Sequence, residues 1–417
     1  MKTIKYAGIV LLLLTLVNAR GEPGRTNINP ALIYYQAFLL DTKPLADADK
    51  DYIESKAGRE VKLPDRFGPL LAGYDNEFKL VRAAARQAVP CDWGIDMSPG
   101  PGTFLPQLRF IKAVAVASKP RAMWDLQHGD QAAARDDLLA AFVLGRNASR
   151  DGTMIGALVQ YASEAIVYGT VAGNFGQFSP ETLQQLVAGF DAAPVRGTIA
   201  TTILSEKTNH IDWLANKISR LQPERPENQA NLLAAILKDP ELEELQNIGD
   251  VPTTNFWSRA VTAAGGTRDG LLRFISGSEP LYERLAKIMT LPLAEYDKQI
   301  QEFAPEIRNS QNPFVQLLFV DPDKPRVKEF RIQAWQAMVR AAVEYKLHGE
   351  AGLNSVKDPL GSGPFTFQRF VFEGVDRGFE LKSAYAGLQY PCALIFVEKE
   401  GTPFRTDGPH IGEAVQP

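Results

Sequence analysis

The segment that most constrains the fold is 154–173, MIGALVQYASEAIVYGTVAG, which is nearly uncharged and rich in small residues. A helix of this composition is apolar on most of its sides. Such helices lie inside a fold, with other elements packed around them. The sequence therefore predicts a helical body with residues 154–173 near its centre.

Helical signals recur along most of the chain. Asn29-Pro30 and Ser179-Pro180 each place a capping side chain before a proline in the first turn, which marks the start of a helix. Apolar residues of 69–85 recur at helical spacing. Helices are also predicted over 29–40, 103–127 with a kink or break at Pro120, 129–144, 197–221, 226–237, 269–276, 279–289, 293–303 and 324–347, with a loop over 248–268.

The pattern changes after Gly349. In 365–372 and 379–383, large apolar residues occupy alternate positions, as in strands. Within 365–372 this alternation shifts by one residue, which predicts a bulge. A turn follows over 373–378, and 392–397 is an apolar run suited to a buried strand. We predict a mainly α protein: an irregular helical-hairpin, tetratricopeptide-like array over 29–348, then a small antiparallel β unit over 349–405. Residues 20–28 form a tether and 406–417 a disordered tail.

Charge and composition exclude some function classes. The net charge is −4, and no block of lysine and arginine occurs, which argues against nucleic-acid binding. No phosphate loop, dinucleotide fingerprint or Gly-x-Ser-x-Gly elbow is present, so no cofactor is expected. With two cysteines the chain is no disulfide framework.

The first 19 residues, MKTIKYAGIVLLLLTLVNA, have the layout of a secretory signal peptide. Lys2 and Lys5 are followed by an apolar run, and Val17-Asn18-Ala19 suits a signal peptidase. The run is about half the roughly 20 residues that a membrane-spanning helix needs. We predict cleavage after Ala19, an exported protein of the periplasm or the cell exterior, and no transmembrane segment after cleavage.

Residues 124–144 carry small and apolar residues at fixed positions: Gly129, Ala134, Asp137, Ala141 and Leu144. In this order they resemble one tetratricopeptide helical hairpin. The 34-residue period of such repeats is not continued convincingly on either side. The alternative is a pair of ordinary packed helices.

Several short motifs occur in the middle of the chain and near its end: Cys91-Asp92-Trp93-Gly94, Leu105-Pro106-Gln107-Leu108, Ala342-Val343-Glu344-Tyr345, Asp358-Pro359-Leu360-Gly361 and residues 378–383. With the hairpin, they resemble an uncharacterised family of exported bacterial proteins whose C-terminal segment is similar to type II secretion pseudopilins. The resemblance implies a small C-terminal hairpin fold. It does not imply pilus assembly, because we expect no counterpart of the membrane-spanning N-terminal helix of pseudopilins. It does not imply calcium binding, because residues 384–387 replace their acidic loop.

The loop 91–96 is the densest candidate for chemistry. Cys91, Asp92 and Asp96 offer a thiol and two carboxylates, which can act as a general acid and base if their environments differ. Trp93 is a candidate binding residue. The alternative, which we favour, is that Trp93 fills the core and Asp92 caps a turn.

Two other residue pairs each allow a functional and a structural interpretation. Glu206 and His210 are four residues apart on a predicted helix and could bind a metal, although the same spacing is common on solvated faces. Cys91 and Cys392 could form a disulfide in an oxidising compartment or remain two buried thiols. The sequence leaves both questions open.

Three functions follow from these observations. The first is a non-catalytic binding or scaffold protein with a protein or peptide partner, because helical-hairpin arrays present long concave surfaces. The second is an extracytoplasmic hydrolase that uses the loop 91–96. The third is a component associated with a secretion machine, which rests on the C-terminal resemblance alone.

We expect the mature protein recovered from the exported fraction to begin at Arg20, because the leader is removed after Ala19. N-terminal sequencing and the intact mass measure this directly. Mature protein that retains Met1 would contradict the prediction.

Overall fold

The computed structural model of the chain describes residues 27–40, 46–49, 62–225, 227–245, 256–319, 323–385 and 392–399. Within these residues the protein is mostly helical, with one three-stranded antiparallel sheet near the C-terminus, so the predicted mainly α class with a small antiparallel β unit is confirmed. The expected leader, most of the tether 20–28 and the tail 406–417 lie outside the described residues. Among the described helices, none is both long enough and apolar enough to cross a membrane.

Seven of the described helices lie in the N-terminal half: α1 Pro30–Phe38, α2 Phe67–Ala72, α3 Asp75–Ala85, α4 Gln107–Gln127, α5 Gln131–Ala148, α6 Met154–Gly173 and α7 Pro180–Ala192. The caps predicted at Asn29 and Ser179 are confirmed, since each side chain accepts a hydrogen bond from the first turn. α4 and α5 form the most extensive helix pair, and Gly129 turns the chain between them with a φ of +80°.

The C-terminal half contains nine described helices. They are α8 Ile199–Glu206, α9 Trp213–Arg220, α10 Gln229–Leu237, α11 Pro240–Glu244, α12 Phe256–Ala263, α13 Arg268–Ile288, α14 Leu293–Arg308, α15 Pro313–Leu318 and α16 Asp323–Ser355. A π-helical turn, Lys207–Asp212, joins α8 to α9, so the helix predicted over 197–221 is interrupted. Gly349, with a φ of 64°, breaks α16 near its end. α12 lies within the predicted loop 248–268, so that part of the prediction is wrong.

Of the predicted kink or break at Pro120, the break does not occur, and neither does the predicted gap between the helices 269–276 and 279–289. Pro120 lies within α4, and Pro280 lies within α13, which unites the two helices predicted there. A proline inside a helix costs about 3 kcal/mol and leaves the carbonyl four residues earlier without its donor. For Pro120 that residue is Val116, which lies on the solvent side of α4 and is 38% exposed. Packing of the buried side of α4 on α5 and α6 outweighs the local cost.

α6 has the central position that its composition predicts. It contacts α4, α5 and α16, and the last strand of the sheet packs on it. Gly145 shows how close α5 and α6 approach, because a Cβ atom on this glycine would lie 2.6 Å from the Cβ of Ser163. The absence of a side chain at position 145 allows this helix pair to pack closely.

The sheet consists of β1 Thr366–Phe372, β2 Val375–Lys382 and β3 Ala393–Val397, in the order β1-β2-β3. The predicted bulge is confirmed between Phe370 and Val371. Glu373 and Gly374 form a two-residue turn in which both φ angles are positive, at 50° and 75°. This is the conformation that joins twisted antiparallel strands without splaying them.

The sheet is joined to the helical body rather than separate from it. Phe175, just after α6, meets the rings of Phe379 and Phe396 edge to face. The N–H of Gly176 donates to the carbonyl of Val397 at 2.7 Å, and a Cβ on Gly176 would lie 2.3 Å from the carbonyl oxygen of Glu398. One face of the sheet therefore belongs to the same core as the helices.

A buried carboxylate connects α3, α4 and α5. Asp137 is completely buried and forms ion pairs with Arg82 of α3 and Arg121 of α4. Arg121 also donates to the carbonyl of Leu71 and, at 2.8 Å, to Asp75. These contacts satisfy a charge that would otherwise be costly to bury.

Replacing this carboxylate tests its role. We expect Asp137→Asn to lower the free energy of unfolding by about 3–5 kcal/mol, because it leaves the Arg121 guanidinium buried without its counter-charge. Urea denaturation measures the change. Asp136→Asn, on the exposed side of the same helix, should cost about 1 kcal/mol or less. Equal losses in the two variants would contradict the assignment.

Candidate functional site

The loop 91–96 contributes its tryptophan to the core. Trp93 is 4% exposed, stacks on Tyr34 and Phe38, and donates from Nε1 to the carbonyl of Asn147 at 2.7 Å. Its position between α1 and α5 agrees with the packing alternative. A ligand could not reach the indole without displacing α1, so the structure gives Trp93 no binding role.

The two carboxylates of this loop are exposed and stabilise turns. Asp92 accepts from the N–H of Gly94 at 2.9 Å, and its backbone is clamped by the side-chain amide of Asn29. Asp96 accepts from the N–H and the hydroxyl of Ser98, and these hydrogen bonds lower its pKa. General acid catalysis needs a carboxyl with a raised pKa. The geometry therefore gives no support to an acid–base pair at this loop.

Cys91 and Cys392 are two separate thiols, both buried. Burial raises the pKa of each to about 12, so both are protonated at neutral pH. A protonated thiol is a poor nucleophile. Cys91 is also the one candidate of the loop that borders a cleft.

Glu206 directly precedes the π-helical turn Lys207–Asp212, and His210 lies within it. Glu206 accepts from the N–H of Met154 at 3.2 Å, and burial raises its pKa to about 7. Burial also lowers the pKa of His210 to about 4, so the imidazole is neutral. Among the described residues, no group of three or more His, Cys, Asp or Glu side chains is placed to hold a metal ion, so this pair has no third ligand there. The metal site suggested for Glu206 and His210 stays a prediction.

A cleft of about 500 Å³ lies between α3, α5 and α7. Its apolar lining includes Leu139, Ala140 and Val143 of α5 and Ala192 of α7. The two helices approach closely at Gly189, where a Cβ would lie 2.5 Å from a methyl carbon of Leu139. Small and apolar residues of both helices therefore form one wall of the cleft.

The charged residues of the cleft are Arg82, Arg86, Arg150 and Asp136. Arg82 is neutralised by the buried Asp137. Asp136 pairs with Arg86 at 3.1 Å and also with Arg135 at 2.7 Å, so one carboxylate faces two guanidinium groups. The cleft therefore carries an excess of positive charge.

Sequence reasoning missed this cleft. Its charged residues lie on three separate segments, and each alone looks like part of a solvated helix face or turn. One signal was available: Arg82 and Arg86 are four residues apart, on the same side of α3. That spacing is too common to identify a site without the position of α5.

A second charged cluster is structural. Glu164 of α6 is completely buried, and it pairs with Arg146 at 2.8 Å and with Arg196 at 2.5 Å. Gln160 donates to the same carboxylate, and Arg196 donates onward to Gln336 of α16. These donors saturate the carboxylate, so it is not available to a substrate.

The Asp-Pro-x-Gly motif of the C-terminal resemblance also has a structural role. Asp358 is 2% exposed and accepts from the hydroxyl of Ser383 and the N–H groups of Ala384 and Leu360, at 2.7 to 3.0 Å. The motif thereby ties the segment before β1 to the end of β2.

Comparison with family models, with curated proteins and with solved structures gives no match to this chain. The resemblances to an exported bacterial family, to pseudopilins and to a tetratricopeptide hairpin therefore stay predictions. What the structure itself adds is the cleft.

The half-buried carboxyl of Glu206 should make the stability of the protein depend on pH. Its pKa is raised, so its favourable protonated form is complete at pH 4 and is lost as the pH rises through 7. We expect Glu206→Gln to raise the free energy of unfolding by about 1–2 kcal/mol at pH 8 and to leave it unchanged at pH 4. Denaturation at several pH values measures this. The exposed Glu295→Gln should show no such dependence, and a pH-independent effect of Glu206→Gln would contradict the prediction.

Proposed function

We propose that this chain is an exported, non-catalytic binding protein whose ligand site is the cleft between α3, α5 and α7. The observation that carries the proposal is the combination of an open cleft, an apolar wall and an excess of arginine. Binding sites typically join an apolar lining to a few oriented polar groups. The leader predicted at residues 1–19 supports export.

The chemistry of the cleft favours binding over catalysis. Its thiol, Cys91, has a pKa raised by burial to about 12. Its one carboxylate, Asp136, is held by two arginines and is a weak base for that reason. The remaining lining offers no histidine and no second free carboxylate within the described residues. These groups can hold a ligand but supply no nucleophile with a base beside it.

The proposed partner is a protein or peptide. The cleft is open to solvent along one side rather than enclosed, so a longer chain can lie in it with one end protruding. The net charge of the whole chain, −4, gives no general attraction for polyanions.

A cleft-filling substitution tests the proposal. We expect the purified chain to retain members of a random heptapeptide library, prepared with both free and amidated C-termini, and to leave them uncleaved by mass spectrometry. Ala192→Trp, at the exposed end of α7, should weaken retention at least about tenfold by occupying the cleft.

The control is Ala263→Trp, an exposed alanine at the last residue of α12 and outside the residues that line the cleft. It should retain peptides as the unmodified chain does. Cleavage of retained peptides would favour the hydrolase alternative. Absence of retention, or equal retention by Ala192→Trp, would overturn the proposal.

A further inference from the structure

We infer that the cleft binds an extended peptide segment along α5, with one acidic side chain at Arg86, a second about six residues further along at Arg150, and small or apolar residues between them. This inference rests on the proposed function and specifies the ligand. The feature that carries it is the order of side chains along the cleft, which is positively charged at both ends and apolar in the middle.

The floor of the cleft is one face of α5 and of the turn that follows it. The lining residues of this segment recur every three or four positions, as on one side of a helix: Asp136, Leu139, Ala140, Val143, Asn147 and Arg150. The fourteen positions from Asp136 to Arg150 extend over about 21 Å, at a rise of about 1.5 Å per residue. The cleft is therefore elongated rather than round.

Arg86 marks one end of the cleft. Its guanidinium pairs with one oxygen of Asp136 at 3.1 Å, and Arg135 pairs with the other oxygen at 2.7 Å. One carboxylate thus faces two guanidinium groups, which leaves an excess of positive charge at this end. Of the two arginines, Arg86 is the one that lines the cleft, and its side chain is exposed there.

Arg150 marks the other end. It is exposed in the 3-10 turn Ser149–Asp151, and among the described residues its guanidinium forms no ion pair. Burial keeps the nearby thiol of Cys91 protonated, so this thiol supplies no counter-charge. Asp92 and Asp151 accept hydrogen bonds from their own turns and do not line the cleft. A ligand therefore meets an uncompensated positive charge at this end as well.

Between the two arginines the cleft is apolar and narrow. Leu139, Ala140 and Val143 form the floor, and small residues of both rims, among them Ala88 and Ala192, flank it. A volume of about 500 Å³ spread over about 21 Å leaves a mean cross-section of about 24 Å². Strands in a sheet lie about 4.8 Å apart, so the main chain of one extended segment needs about this cross-section. A helix, about 10 Å across with its side chains, does not fit.

The length of the cleft sets the spacing of the two acids. An extended chain advances about 3.3 Å per residue, so the first and seventh residues of a segment lie about 20 Å apart. Successive side chains alternate, so these two point to the same side of the chain. Each guanidinium binds a carboxylate through two parallel hydrogen bonds. Attachment at two distant points selects the spacing of the acids as well as their total charge.

The test compares two pools of heptapeptides that have the same composition. Both pools are acetylated at the N-terminus and amidated at the C-terminus, so that only side chains carry charge. One pool has glutamate at positions 1 and 7, the other at positions 3 and 5, and the remaining positions are random among alanine, valine, serine and leucine. We expect the first pool to be retained at least about tenfold more strongly, as read by mass spectrometry, because only its acids span the cleft.

Single substitutions assign the two ends. We expect Arg86→Gln and Arg150→Gln each to reduce the retention of the first pool to that of peptides in which one glutamate is replaced by glutamine. Each variant should be insensitive to the loss of one of the two glutamates, and that glutamate should differ between the variants. Arg259→Gln is the matched control, because Arg259 is exposed on α12, outside the lining of the cleft. It should retain the first pool as the unmodified chain does.

The outcomes separate this inference from the proposed function. Equal retention of the two pools would overturn the inference, as would insensitivity of both arginine variants to the same glutamate. If either result is found while Ala192→Trp still abolishes retention, the cleft binds peptides without reading the spacing of their acids, and the proposed function stands. If neither pool is retained but members of the random library are, the inference again fails alone. If no peptide is retained, both fail.

Discussion

Two buried carboxylates, each shared by two arginines, hold the helical body together. Asp137 pairs with arginines of α3 and α4, and Glu164 pairs with Arg146 of α5 and with Arg196. Burying such charges is costly unless every one finds a partner, so the helices are fixed in one relative arrangement. The charge of the cleft depends on this arrangement. Asp137 neutralises Arg82, whereas Arg86, one turn further along the chain, lies at the rim of the cleft.

Much of the fold could be predicted from local sequence patterns. Residues 154–173 form the central helix, and the caps, the bulge, β1 and β3 lie where the sequence indicates, whereas β2 begins at Val375, inside the predicted turn 373–378. The breaks that do not occur, at Pro120 and before Pro280, share one cause. A proline in the sequence indicates only a local free-energy cost, whereas the tertiary contacts of the whole helix determine whether it continues through the proline. No pattern near these prolines indicates how well α4 and α13 pack.

The site was less accessible to sequence reasoning than the fold. Of the candidate residues, Cys91 borders the cleft, while Asp92 and Asp96 stabilise turns and Trp93 fills the core. Asp137 was noticed for its place in a hairpin, not as the partner of two arginines. Arginine–carboxylate pairs between distant segments leave no periodicity in the sequence, so their geometry emerges only when the helices are in place.

The contact between the end of α6 and the last strand has a consequence for how the molecule is made. Lys346 donates to the carbonyls of Phe175 and Phe178, and β3 covers Phe175, although β3 follows α6 by more than two hundred residues. A chain that emerges from the ribosome or through a translocation channel therefore cannot complete its core until nearly all of it has been delivered. Such late closure couples the final packing of the core to the last stages of chain delivery.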